Sequence, residues 1–278
     1  MLLAQLRNEL WKLFGKKRTY IGFALLLVTQ IIIVLVFRYS RATKDMVNTL
    51  EGVGHVAEQY ISVLTISSVM LFPLAFILLP LYVALVSGDL MAKEAEDGTL
   101  RMILSRPISR LRLLAVKWLA GVIFSILLVT FFGACGLLVT RCCFPWGGLF
   151  VFIPGELFGV FDPGEGLQRY IYAHICMITK AVTITSLGLM FSCFNIKPAA
   201  CTILALSVLS INRILQEIPF FRELKHWFLT YHLDTWYFLL AQPIPWWKLG
   251  ESLSLLLGFN VTFFAIGAMA FHTRDIKS

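Results

Sequence analysis

The chain has 278 residues, 58% hydrophobic and only 14% charged, with a net charge of +8. Soluble domains carry about 25% charged residues; the shortfall, with a mean hydropathy of +0.80, excludes an ordinary soluble domain. The basic excess is not a nucleic-acid footprint, because Lys and Arg sit mostly at the ends of apolar runs, where they orient membrane helices.

A helix needs roughly 20 apolar residues to cross a bilayer, and it satisfies its own backbone there. Residues 1–18, "MLLAQLRNELWKLFGKKR", are too short to cross. Leu2, Leu3, Leu6, Leu10, Leu13 and Phe14 recur at three- and four-residue steps, with Arg7, Asn8, Glu9 and Lys12 largely opposite. That pattern predicts an amphipathic helix on the membrane surface, ended by Gly15. The first span is expected at 20–37. A signal peptide is the competing reading, but the apolar run is too long and "RYSRAT" offers no small-x-small cleavage site. A polar loop covers 38–59.

The second run, 60–87, spans about 42 Å as a helix, so it must tilt or protrude. Pro73 and Pro80 should kink it. The charged stretch 88–112 follows. A third span is expected at 113–140. A loop rich in Gly, Pro and aromatics follows, with "FVFIPGELFGVF" as an interfacial piece. The fourth and fifth spans, at 169–194 and 199–215, are joined by the short turn "NIKP". Residues 216–250 are apolar and aromatic but broken by charge and proline. They predict short interfacial or re-entrant helices. The sixth span is expected at 251–271.

Six spans place both termini on one side. That side carries fourteen Lys and Arg against nine on the other, which makes it the cytoplasm. The stretch "EAEDGTLRMILSRPISR", Glu94–Arg110, is then cytoplasmic. Asp89, Glu94, Glu96 and Asp97 carry the second helix past the bilayer, and Gly98 stops it. Thr99 is expected to cap a short helix, "LRMIL", through its side-chain oxygen. Ser105, Arg106 and Pro107 break and restart the chain. Leu100, Met102, Ile103 and Leu104 are apolar with no lipid to face. One reading is a charged connector; the other is a docking knob for a soluble partner.

This stretch, followed by "LLAVKWLAG", resembles the E-x-x-x-G-T-L…L-S-x-P-[IV]-S-R…K signature of type-two ABC exporter permeases. Glu94, Gly98, Thr99, Leu100, Leu104, Ser105, Pro107, Ser109, Arg110 and Lys117 match it. "ELWKLFGKKRTY" is similar to that family's amphipathic elbow, and "FHTRDIKS" to its aromatic-x-x-[KR]-D ending. Within the family the chain looks closest to permeases of the copper-enzyme-maturation and gliding-motility type. The resemblance implies an all-α integral membrane protein of the bacterial inner membrane. It implies six transmembrane helices, an elbow helix, a cytoplasmic coupling helix, and re-entrant helices between spans five and six. It implies a pair of permeases, two copies or two homologues, working with two cytoplasmic ATPase subunits that bind ATP and Mg. The ATPase-coupling residues are then Glu94, Gly98, Thr99, Leu100, Ile103, Leu104, Pro107 and Arg110.

The chain itself has no G-x-x-x-x-G-K-[ST] phosphate loop, no H-E-x-x-H and no G-x-S-x-G, so no cofactor or metal is expected in it. The alternatives are a stand-alone membrane enzyme or assembly factor, which lacks a catalytic constellation, and a secondary transporter. The latter usually shows matched breaks in two halves, which this sequence lacks. Of the six cysteines, Cys135, Cys176, Cys193 and Cys201 read as small hydrophobes within apolar runs. The adjacent Cys142 and Cys143 leave a disulfide or copper-binding role open, although neighbouring cysteines rarely bridge each other. Lys180 lies roughly 16 Å into the expected fourth span. A mid-bilayer lysine costs about 2.5–3.5 kcal/mol, so it should face protein or water. It is either a lining residue for an anionic substrate group or a member of an internal pair. His174 reads as a packed histidine, and Asn260 as interhelical glue.

Overall fold

Where no water can satisfy a backbone group, the chain must hydrogen-bond to itself, and every long apolar run has become a helix. The computed structural model describes residues 2–52, 57–105, 108–153 and 157–274. Among the described residues six helices are long and apolar enough to cross a membrane: Lys17–Tyr39, Val63–Glu96, Arg110–Arg141, Pro163–Cys193, Pro198–Glu217 and Trp246–Thr273. The protein is an all-helical, multi-pass integral membrane protein with one small hairpin added. The helices exceed the expected spans at most ends, by six residues at Pro163. Hydropathy marks the stretch in hydrocarbon, whereas helical hydrogen bonding continues into the interface, and Pro163 suits a helix start.

The fourth span is central: 72% of its most apolar window is buried, against 22% for the first span and 17% for the sixth. Lipid tails are as apolar as Leu, so small residues and hydrogen bonds hold membrane helices together. Spans two and four pack closely at Gly188, where the Ser87 side chain occupies the space and a Cβ would fall 2.0 Å from Ser87 Oγ. Spans three, four and six share a polar layer. Trp118 Nε1 donates to Ser186 Oγ (2.9 Å), and Ser186 Oγ to Asn260 Oδ1 (2.5 Å). Asn260 Nδ2 donates to Thr183 Oγ1 (2.9 Å), and the Ser125 and Thr185 hydroxyls lie 2.8 Å apart. Asn260 is thus the interhelical glue that its position suggested. His174 is buried, with Nδ1 2.8 Å from the Tyr170 carbonyl, and its ring fills the space over Gly133.

The second span is not one smooth helix. It runs Val63–Val69, Leu71–Pro73, a π-helical turn Leu74–Leu78, then Leu79–Glu96. Pro73 and Pro80 each remove an N–H donor and crowd the preceding turn, and a wider turn between them is the local solution.

Between the first two spans a helix, Ala42–Gly52, occupies what reads as a polar loop, and Leu50 is buried near Phe150. The "FVFIPGELFGVF" piece is an antiparallel hairpin: β1, Leu149–Ile153, pairs with β2, Leu157–Phe161, in the register Leu149 to Phe161. It is sewn to the second span by Ser62 Oγ donating to the Gly148 carbonyl (2.5 Å) and Phe150 N–H donating to Thr65 Oγ1 (2.9 Å).

Residues between spans five and six form three short helices: Pro219–Trp227 and Thr235–Leu240, both 3-10, with α-helical Leu229–Leu233 between them. Arg169 of span four donates to the Leu239 and Ala241 carbonyls, each at 2.7 Å. His232 Nδ1 lies 3.0 Å from Ser252 Oγ of span six.

Candidate functional site

Two charged clusters stand out, one at the Glu94 end of the bundle and one within the spans. The first is built where the second span outruns the others. Its helix continues to Glu96, and the chain turns at Gly98, the one described residue with a left-handed backbone (φ 72°). A Cβ there would be strained, which is why glycine ends the helix. The short helix Thr99–Leu104 follows directly. Thr99 does not cap it: its hydroxyl donates to the Glu94 carbonyl (3.3 Å), a bond back to the preceding helix.

The third span starts at Arg110, with Ser109 Oγ accepting from Arg112 N–H. Arg110 Nη1 donates to the carbonyls of Phe271, His272 and Arg274 at 2.8–3.0 Å. A cation placed on the last carbonyls of a helix is favoured by the helix dipole. Seven residues on, Lys117 is 1% exposed and reaches both Glu9 Oε2 and Glu94 Oε2 at 2.8 Å. Lys12 closes the arrangement, 2.8 Å from Glu9 Oε1 and 3.1 Å from Glu94 Oε1. Two carboxylates and two ammonium groups thus alternate around a square. It joins the N-terminal helix Leu2–Phe14, the second span and the third. Burial pushes the Glu9 carboxyl up, but Lys117 and Lys12 outweigh it and hold it below its usual range. Burial likewise pushes Lys12 down, and Glu9 with Glu94 more than reverses it. Arg18 pairs with Asp89 beside the square. A cleft of about 790 Å³ opens along this face, lined by Trp11, Lys16, Asp97, Met102 and Ile103 among others.

Within the spans, Lys180 is buried in span four, 2.7 Å from Asp234 Oδ1. Asp234 Oδ2 also meets Arg213 Nη1 of span five at 2.6 Å. Both cations stand over the Phe76 ring, at 5.4 Å and 4.8 Å from its centroid.

All but the first two residues of the N-terminal helix, the charged loop helix and five of the six spans fall within residues 4–219, which match the family model for the ABC-2 family transporter protein. The chain belongs to that family. No curated protein matches it. As an ABC-2 family member it is the membrane subunit of an ABC transporter.

In this ABC-2 permease the expected coupling residues are not equivalent. Glu94 is in the square, Gly98 makes the turn and Arg110 holds the end of span six. Leu100 is not an exposed knob: it is 2% exposed, in a cluster with Met91, Leu113, Leu114, Leu189, Cys193 and Phe271. A six-residue helix must anchor one face to stay in place, and Leu100 is that anchor. Met102 is the outward residue, 65% exposed, while Ile103 and Leu104 are half-buried. Pro107 and Arg106 lie outside the described residues, as does the chain beyond Arg274.

Sequence reasoning missed Glu9 and Lys12, which it placed on the outer polar side of the N-terminal helix. Their i, i+3 spacing puts both on one face, but only the fold shows that this face turns toward Lys117. It also missed Asp234 as the partner of Lys180, 54 residues away.

Proposed function

We propose that this permease subunit works in an ATP-driven exporter, forms the substrate pathway with a second permease, and receives the stroke from separate cytoplasmic ATPase subunits. ATP and Mg are held by those ATPases. The docking element is the helix Thr99–Leu104, with Met102 and the half-buried Ile103 and Leu104 toward the partner. Both termini are cytoplasmic, and the helices of 219–240 are re-entrant from the other side.

The observation that carries this reading is the square of Glu9, Lys12, Glu94 and Lys117. A docking helix transmits force only if it is joined rigidly to what must move. Surface pairs contribute little to rigidity, whereas a charge whose burial depends on its partners is strongly held. Lys117 meets that condition. With Leu100 anchored beneath and Arg110 on the end of span six, a push on the loop helix reaches spans two, three and six and the N-terminal helix together. The counts of Lys and Arg support the orientation.

The test is reconstitution with an ABC ATPase subunit that co-purifies with this chain. In liposomes the wild-type permease should bind that ATPase and raise its ATP hydrolysis, and Met102→Asp should abolish the stimulation. An ATPase stimulated equally by Met102→Asp would make the loop helix a charged connector only.

A further inference from the structure

We infer that Lys180, Arg213 and Phe76 form a binding site for the oxyanion head of an amphiphile, with Asp234 as a built-in occupant that the ligand displaces. This rests on the reading of the chain as a transport pathway and names the substrate class.

Depth is the first observation. Asp89, paired with Arg18, marks the inner boundary of the second span, and Phe76 lies thirteen residues, or about 20 Å, above it. Lys180 lies thirteen residues, again about 20 Å, from the inner end of span four at Cys193. Arg213 lies fifteen residues, about 22 Å, from the inner end of span five at Pro198. All three sit at one level, inside a hydrocarbon core about 30 Å thick. A cation there is costly unless it is paired.

The second observation is what supplies the pairing. Asp234 belongs to no span. It sits at the junction between Leu229–Leu233 and the 3-10 helix Thr235–Leu240. Short 3-10 pieces have poorer hydrogen-bond geometry than α-helix and depend on their tethers. Among the described residues Asp234 is the sole carboxylate partner of Lys180. Arg213 has a second one, Glu217 at 3.4 Å, on the outside. If this segment moves to let cargo out, Lys180 is stranded in hydrocarbon. An incoming oxyanion removes that penalty by taking the place of Asp234. The segment can therefore open without cost only for cargo that carries an anion.

The third observation is the lining. The site is open on one side: the Arg213 side chain is 41% exposed and Phe76 40%. Beside them Ile77, Leu81 and Ile214 present an exposed apolar face on spans two and five. A charged head under an apolar wall fits a molecule with a tail. Phe76 lies in the π-helical turn, which aims its ring beneath both cations. Trp236, two residues after Asp234, is buried against Phe72 and Phe76 with ring centroids at 5.1 Å and 6.1 Å. Displacement of Asp234 should therefore loosen Trp236 and be visible in its fluorescence.

The test is titration of the full chain in phosphatidylcholine nanodiscs with dodecyl phosphate, inorganic phosphate or dodecylphosphocholine. Binding is followed by tryptophan emission, with Trp236→Phe as the control for its origin. Only dodecyl phosphate should bind and shift the emission, and Trp236→Phe should lose the shift. Asp234→Asn removes the competitor and should bind about tenfold more tightly. The neutral triple variant Lys180→Met, Arg213→Gln, Asp234→Asn strands no charge and should not bind. Equal binding by wild type and the triple variant would reduce the effect to tail partitioning and overturn the proposal. So would Asp234→Asn binding no tighter than wild type, which would make the triad a static brace. Binding by inorganic phosphate alone would overturn the amphiphile class. No ATPase takes part, so a failure of ATPase coupling leaves this result standing, and the reverse also holds.

Discussion

Lys117 and Glu94 are 23 positions apart in sequence and on different spans, yet Lys117 Nζ lies 2.8 Å from Glu94 Oε2, with Lys117 almost fully buried. Breaking a buried pair by removing one partner typically costs about 3–5 kcal/mol, because the other charge is left uncompensated. Lys117→Met leaves Glu9 and Glu94 to share Lys12 alone. Its unfolding in detergent should fall by about 3 kcal/mol relative to wild type. The double variant Lys117→Met, Glu94→Gln should recover part of that loss. An unchanged melting temperature for Lys117→Met would show that the square is solvated.

Glu9 gives the square a pH dependence. Its carboxyl is held below the ordinary value of 4.5 by Lys117 and Lys12. Its contribution is present above pH 4.5, and it disappears as pH falls through the lowered folded value. Lys12 is raised above 10.5, so its contribution is present below that pH and is lost as pH rises through the raised folded value. The melting-temperature gap between wild type and Glu9→Gln should be open at neutral pH and should close in acid. A gap that stays constant would remove Glu9 from the titrating set.

Leu100 and Met102 should separate fold from docking. Leu100→Ala empties a buried site and should cost about 2–4 kcal/mol, with lower yield from the membrane. Met102→Asp, on the exposed side of the same helix, should melt within about 0.5 kcal/mol of wild type. Thermal unfolding of the two proteins side by side checks this.

Gly188 and Ser87 test the contact between spans two and four. Gly188→Ala would place a Cβ 2.0 Å from Ser87 Oγ and 2.9 Å from Ser87 Cβ, so the Ser87 side chain must shift against span four. Overpacking of this kind costs about 1–3 kcal/mol. Gly188→Ala should lower stability, and adding Ser87→Gly should restore most of it. A neutral Gly188→Ala would mean that the Ser87 side chain yields without disturbing the contact.

The topology can be tested with reporter fusions after Gly250 and after Arg274. They should give opposite signals, with the second cytoplasmic. Matching signals would overturn the six-span orientation.

The spans were legible because a bilayer leaves a chain few choices: 20 apolar residues that must satisfy their own backbone become a helix. Glu94 and Gly98 were legible for local reasons, one as part of a signature and the other as a helix stop. Leu100 was misjudged as exposed because its neighbours, from Met91 to Phe271, come from four helices. Thr99 was misjudged as a cap because its hydroxyl found the preceding helix instead. The pairing of Leu149–Ile153 with Leu157–Phe161 was not legible, because an aromatic run with Gly and Pro looks the same lying flat at an interface. Asp234 could not be paired with Lys180 from spacing, since pairing across 54 residues is decided by how spans four and five pack.

The grip of Arg110 on Phe271, His272 and Arg274 crosses the boundary of the recognisable family region, which closes at residue 219. Asn260 reaches back across the same boundary to Ser186 and Thr183, and Asp234 to Lys180. A fragment cut at that boundary would therefore keep the motif residues from Glu94 to Lys117 and still be an incomplete object. It would hold an arginine without carbonyls, a lysine without its counter-charge, and hydroxyls without their amide.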